Sequence, residues 1–155
     1  MNAAIEPSKF NTDRQAWMSI LARADFDDLQ ERWSSLSITP SYSKLRPAEI
    51  GMVMVRARVN GSGSSFNMGE ATATRCSVQM ASGEVGASYI LGRNKSHATL
   101  AAVIDGEMQR GEFQQKITEK LLAPLQIIEQ IRQQKKQVKA TKTKVDFFTL
   151  ARGED

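Results

Sequence analysis

The sequence predicts an α+β protein: an antiparallel β-sheet meander with two N-terminal helices before it and C-terminal helices packed on it. Three observations carry this reading. Apolar residues recur at helical spacing up to about residue 36 and again from about residue 96. Between those stretches they alternate with a period of two. The breaks inside the alternating region, NGSGSS at 60–65 and SG at 82–83, are turn-forming and short enough for neighbouring strands to pair antiparallel.

Each element has its own signal. Thr12 followed by Gln15 has the spacing of a capping box, with Asp13 placed for the helix dipole, so the first helix is expected to start there. Trp17, Ile20, Leu21 and Ala24 form its apolar stripe. Asp25 is placed to cap a second helix whose stripe is Phe26, Leu29, Trp33 and Leu36. Pro40 and Pro47 mark the change of regime. In GMVMVRARVN, residues Val53, Val55, Ala57 and Val59 share one face and Arg56 and Arg58 the other, which predicts a strand. FNMGEATATRCSVQM continues as a long or bulged strand, and EVGASYILG supplies another. From Ser96, the residues His97, Leu100, Ala101, Ile104 and Met108 return to helical spacing until Gly111 interrupts them. A last helix starts near Phe113, with Ile117, Leu121, Leu122, Leu125, Ile128 and Ile131 as its stripe and Pro124 expected to kink or divide it.

The 155 residues are expected to form a single domain: a flexible N-terminus at 1–11, a globular core over 12–131, and a basic helix with a docking tail over 132–155. No run approaches the ~18 apolar residues of a membrane span. The opening MNAAIEPSKFNTDR lacks a signal-peptide pattern, so a cytoplasmic protein is expected. One cysteine, Cys76, excludes an internal disulfide and an iron–sulfur cluster held by this chain alone. With a single histidine as well, no metal or cofactor is expected to be bound by the chain by itself.

Four segments are candidates for chemistry or binding. GRNKSHA (92–98) joins a strand to a helix and brings Arg93, Lys95 and His97 to the helix N-terminus. That combination suits a phosphate or carboxylate, but the residues alone favour a helix start capped by Asn94 or Ser96, with solvated cations and a histidine partly packed on the sheet. Cys76 sits beside Arg75, but neighbours on a strand face opposite sides, which favours a buried structural cysteine. Arg132, Lys135, Lys136 and Lys139 form one basic stripe without interleaved aromatics, and this favours a solvated or partner-facing surface over a nucleic-acid site. In the tail KVDFFTLARGED, Phe147, Phe148 and Leu150 must either fold back or dock on another protein.

At these residues the chain resembles a family. RQAWMSILA, RPAEIGMVMV, GEATATR, GASYILGRNKSHA with AAVIDG, LLAPL and KVDFFTLARG occur in order from about Arg14 to Glu154 and resemble the G subunit of the bacterial carbon–phosphorus lyase system. The resemblance implies a cytoplasmic complex that takes phosphorus from alkylphosphonates. In it the G subunit, with H, I and L subunits, takes part in making α-D-ribose 1-methylphosphonate 5-triphosphate from MgATP and methylphosphonate, releasing adenine. A J subunit, a radical iron–sulfur enzyme, later cleaves the C–P bond. The resemblance carries over no catalytic residue. It leaves Arg93, Lys95, His97 and Arg75 as anion- or partner-binding candidates and Phe147, Phe148, Leu150 and Arg152 as docking candidates. Two other classes stand beside it: a nucleic-acid-binding module using the basic stripe, and a stand-alone nucleoside-type hydrolase using His97 or Asp105.

Overall fold

The computed structural model describes residues 9–142. Phe147, Phe148, Leu150 and Arg152 lie outside the described residues. The predicted class is the observed one: helix α1 (Lys9–Arg23) and helix α2 (Phe26–Ser35) precede a three-stranded meander of β1 (Tyr42–Arg58), β2 (Ser65–Met80) and β3 (Val85–Leu91). Helices α3 (Lys95–Arg110), α4 (Gln114–Ile117) and α5 (Ala123–Lys142) follow.

Helix α1 begins at Lys9, so Thr12 lies inside the helix and does not cap it. No Gly or Pro separates Lys9 from Thr12, and nothing there stops the helix from extending upstream of the capping-box spacing. The Asp25 cap is as expected: its carboxylate accepts from the Asp27 N–H at 3.0 Å. Trp17, Leu21, Leu29 and Leu36 are buried.

Pro47 does not precede the first strand; it lies within it. Two features accommodate it. β1 is an edge strand, and its register against β2 slips between Arg46 and Glu49, where no ladder hydrogen bond is required of Pro47. The sheet is uneven in length. β3 pairs with β2 from Gln79↔Val85 to Ala73↔Leu91, whereas β1 and β2 stay paired out to Arg58↔Ser65. The outer part of β1 and β2 is therefore a two-stranded ribbon standing beyond the sheet. The face shared by Val53, Val55, Ala57 and Val59 is accordingly not a core face: Val55 and Val59 are exposed, and Val53 and Ala57 are only half-buried. A period of two reveals which residues share a face, but not whether another layer covers that face.

The core lies between the inner face of the sheet and α3. Cys76, Val78, Met80 and Ile90 pack against Ala98, Ala101, Ala102, Ile104 and Met108, with Trp17 and Leu21 from α1 in the same cluster. Helix and sheet approach so closely that a Cβ on Gly86 would stand 1.9 Å from the Ala102 carbonyl oxygen. Gly111, at φ 79°, ends α3 in the left-handed conformation. Pro124 divides the last helical stretch as expected: lacking an N–H, it cannot bond the carbonyl of the preceding turn, and the chain widens into a π turn over Thr118–Leu122. Ile117, Leu121, Leu122 and Leu125 are buried, but Ile128 and Ile131 are exposed, so the stripe outruns the body it packs on.

Candidate functional site

The loop from β3 into α3 is held at both sides. The Gly92 N–H donates to the Thr72 carbonyl at 2.8 Å, and the Thr74 hydroxyl donates to the Gly92 carbonyl at 2.7 Å. Gly92 adopts φ 100°, which an L side chain disfavours. Asn94 then caps α3, accepting from the His97 N–H at 2.9 Å and so using one of the free amides that an anion would seek. Arg93 and Lys95 are exposed on either side of this cap, and their side chains make no hydrogen bond or ion pair with the described residues; the Lys95 carbonyl accepts from the Thr99 hydroxyl at 2.9 Å.

His97 turns the other way. It is 5% exposed, and its Nε2–H donates to the Leu21 carbonyl at 2.8 Å. Its ring centroid lies 5.9 Å from that of Phe26. The imidazole therefore ties the start of α3 to the end of α1, and Arg93, Lys95 and His97 do not form one surface. Arg75 is exposed on the face of β2 opposite Cys76 and reaches Glu49 at 3.3 Å. Cys76 is buried, as the alternation predicts.

Two hollows border the α3 N-terminus. One, of about 740 Å³, is lined by Phe26, Trp33, Pro47, Leu100, Lys44 and Lys95 among others. It sets two ammonium groups beside aromatic and aliphatic walls. The other, of about 490 Å³, is lined by Asp25, Phe26, Tyr89, Asn94, His97 and Arg132. Lys44 escaped the sequence reading because it is distant in the chain from Lys95. Arg132 was read only as part of a stripe, and its closeness to Asn94 depends on how α5 is directed after Pro124.

Asp105, fully buried, is the best-bonded acid of the fold. It accepts from Arg14 Nη2 at 2.7 Å, Arg14 Nε at 3.2 Å, Trp17 Nε1 at 2.8 Å and the Ala87 N–H at 2.9 Å, with Gln109 Nε2 at 3.3 Å. Glu107, also buried, takes two bonds from Arg110 Nη1 at 2.9 and 3.1 Å, which raise the pKa of Arg110. Asp105, with both oxygens occupied by several donors, has no lone pair positioned for a substrate proton. Among the described residues no group of three or more His, Cys, Asp or Glu is placed to hold a metal ion, and no helix is long and apolar enough to cross a membrane.

A small α+β body whose buried acids and histidine secure its own packing, and whose ribbon and last helix stand uncovered, is the form of a component of a larger assembly. The chain belongs to the family described as phosphonate metabolism protein PhnG, whose profile matches residues 12–153. It is 37% identical over 145 residues to the alpha-D-ribose 1-methylphosphonate 5-triphosphate synthase subunit PhnG of Rhizobium meliloti (strain 1021), a match covering 92% of this chain and 90% of that relative.

Proposed function

We propose that this chain works as a subunit of an alpha-D-ribose 1-methylphosphonate 5-triphosphate synthase and is inert alone. In this reading it assembles in the cytoplasm with the H, I and L subunits, the J subunit acting on the product. MgATP and methylphosphonate are substrates of the assembly. The observation that carries the proposal is the family match along nearly the whole chain. The site chemistry supports it. The buried histidine and carboxylates among the described residues, His97, Asp105 and Glu107, are occupied by Leu21, by Arg14 with Trp17, and by Arg110. What the chain can offer a reaction is cations, namely Arg93 and Lys95, with Lys44 across the neighbouring hollow.

A displacement at ribose C1′ needs a triphosphate and a phosphonate, both anionic, held together while adenine leaves. Preorganised cations favour that approach, because they lower the repulsion between the two reactants and cost no reorganisation in the transition state. Arg93 and Lys95 are assigned this task as substrate- or partner-facing groups, with acid assistance to the base coming from another subunit. His97 is a positioning group that fixes where α3 starts. The test is omission: assemblies of the co-expressed subunits should release adenine from MgATP and methylphosphonate, and assemblies lacking this chain should not. Turnover by the purified chain alone would overturn the reading.

A further inference from the structure

The outer β1–β2 ribbon is built unlike the rest of the molecule. Past the end of β3 its two strands pair only with each other, with Val55 opposite Gly69 and Arg56 opposite Asn67, so that Met68 bulges out. By alternation Met52 and Met54 share one face, continued by Ile50 near the outer end of the three-stranded part, and Val55 and Phe66 share the other. Neither face is covered by the described residues: Met52 and Met68 are 70% exposed, and Ile50, Met54, Val55 and Phe66 between 38% and 51%. A lone two-stranded ribbon is at best marginally stable in water, and its free edges invite pairing. In the proximal half of β1, Pro47 and the register slips blunt the edge; from Ile50 to Val55 the pairing is regular and no charge guards it.

The far end carries Arg56 and Arg58. Arg56 Nη2 donates to the Ser65 hydroxyl at 2.8 Å and Arg58 Nη1 to the Gly63 carbonyl at 3.4 Å, and neither meets a carboxylate among the described residues. Glu70 is the single acid between residues 50 and 72. We infer that this ribbon is a docking arm that lies in an apolar cleft of another subunit of the synthase, a cleft whose far end supplies carboxylates to Arg56 and Arg58. The inference rests on reading the chain as a synthase subunit. The charge excludes a second copy as the fitting occupant: two ribbons packed together would bring four guanidiniums to two carboxylates. Nucleic acid would satisfy the arginines but not the Ile and Met faces. The six exposed apolar side chains offer on the order of 600–800 Å², about one partner's share of a standard interface, and methionine and arginine are the residues such interfaces favour.

The experiment co-expresses the full chain with the remaining synthase subunits and compares wild type with Met52→Asp/Met68→Asp, with Arg56→Glu/Arg58→Glu, and with the volume-conserving Met52→Leu/Met68→Leu. Both charge-changing pairs should leave the circular dichroism and melting temperature of the isolated chain unchanged. They should weaken its association with the other subunits at least about tenfold, a change of ~1.4 kcal/mol, while the leucine pair retains it. Wild-type assembly by both charged variants would overturn the docking arm and leave the subunit reading standing. Failure of the wild-type chain to assemble would overturn the subunit reading itself. A dimer of the isolated chain that the aspartate pair dissociates would overturn the assigned occupant in favour of a second copy.

Discussion

Asp105 gathers the first half of β3, the first helix and the middle of α3 onto one carboxylate. Replacing it with Asn keeps the shape but puts an amide N–H₂ among groups that are all donors. Arg14 is 27% exposed and can turn to water; Trp17 and the Ala87 amide have less recourse. Breaking a buried, hydrogen-bonded charge commonly costs about 3–5 kcal/mol. Asp105→Asn should therefore lower the melting temperature by at least ~6 °C in a chain of this length. A wild-type melting curve would show that Asp105 does not hold these elements together. At this scale the sequence disclosed what is local. The Asp25 cap acts across two residues and the Asn94 cap across three; the first is legible as a residue type before an apolar stripe, and the second is one of two candidates, Asn94 and Ser96, that the sequence offers. His97 with Leu21 and Asp105 with Arg14 are 76 and 91 residues apart, so no spacing rule points to them.

The elements were legible wherever one face is buried. The three strands, the α3 helix and the break at Pro124 all follow from periodicity and punctuation. The ribbon shows the limit of that signal, because its alternation is as regular as that of a core strand while no layer among the described residues covers it. Gly86 shows the converse, a contact that no pattern announces. It reads as a weak point in a strand, yet it lets β3 sit against α3 where a Cβ would lie 1.9 Å from the Ala102 oxygen and 2.7 Å from the Gly106 nitrogen. Both neighbours are backbone and cannot step aside. Gly86→Ala should cost at least about 1–3 kcal/mol, the usual range for overpacking, and move the denaturation midpoint down accordingly. An unchanged midpoint would mean that helix and sheet are further apart than described.

For the molecule as a whole, exposed apolar surface lies at places that the core does not use, the ribbon and the outer half of α5, where Ile127, Ile128, Ile131 and Val138 are exposed, and the Arg93 and Lys95 side chains stand exposed at the α3 N-terminus. The basic stripe runs along that same helix, and Arg132 bonds Glu129 at 3.5 Å. The tail beyond residue 142 follows on from it. Phe147, Phe148 and Leu150 are each worth roughly 1.5–3 kcal/mol if fully buried, and Arg152 beside them adds a charge for a partner. Deleting residues 145–155 should weaken assembly with the other subunits more than it lowers the melting temperature of the chain; equal co-purification would assign the tail to local packing.

Adenine release from MgATP and methylphosphonate by reassembled complexes tests the central claim most directly, with melting temperature and co-purification as controls. Arg93 and Lys95 are exposed and unpaired, so loss of either should change stability by no more than about 0.5 kcal/mol. A charge-assisted hydrogen bond to an anion is commonly worth ~1.5–3 kcal/mol. The account predicts that complexes carrying Arg93→Ala or Lys95→Ala fold and assemble normally but release adenine at least about tenfold more slowly than wild type, and that the chain alone releases none. Wild-type rates from both variants, or turnover by the isolated chain, would contradict it.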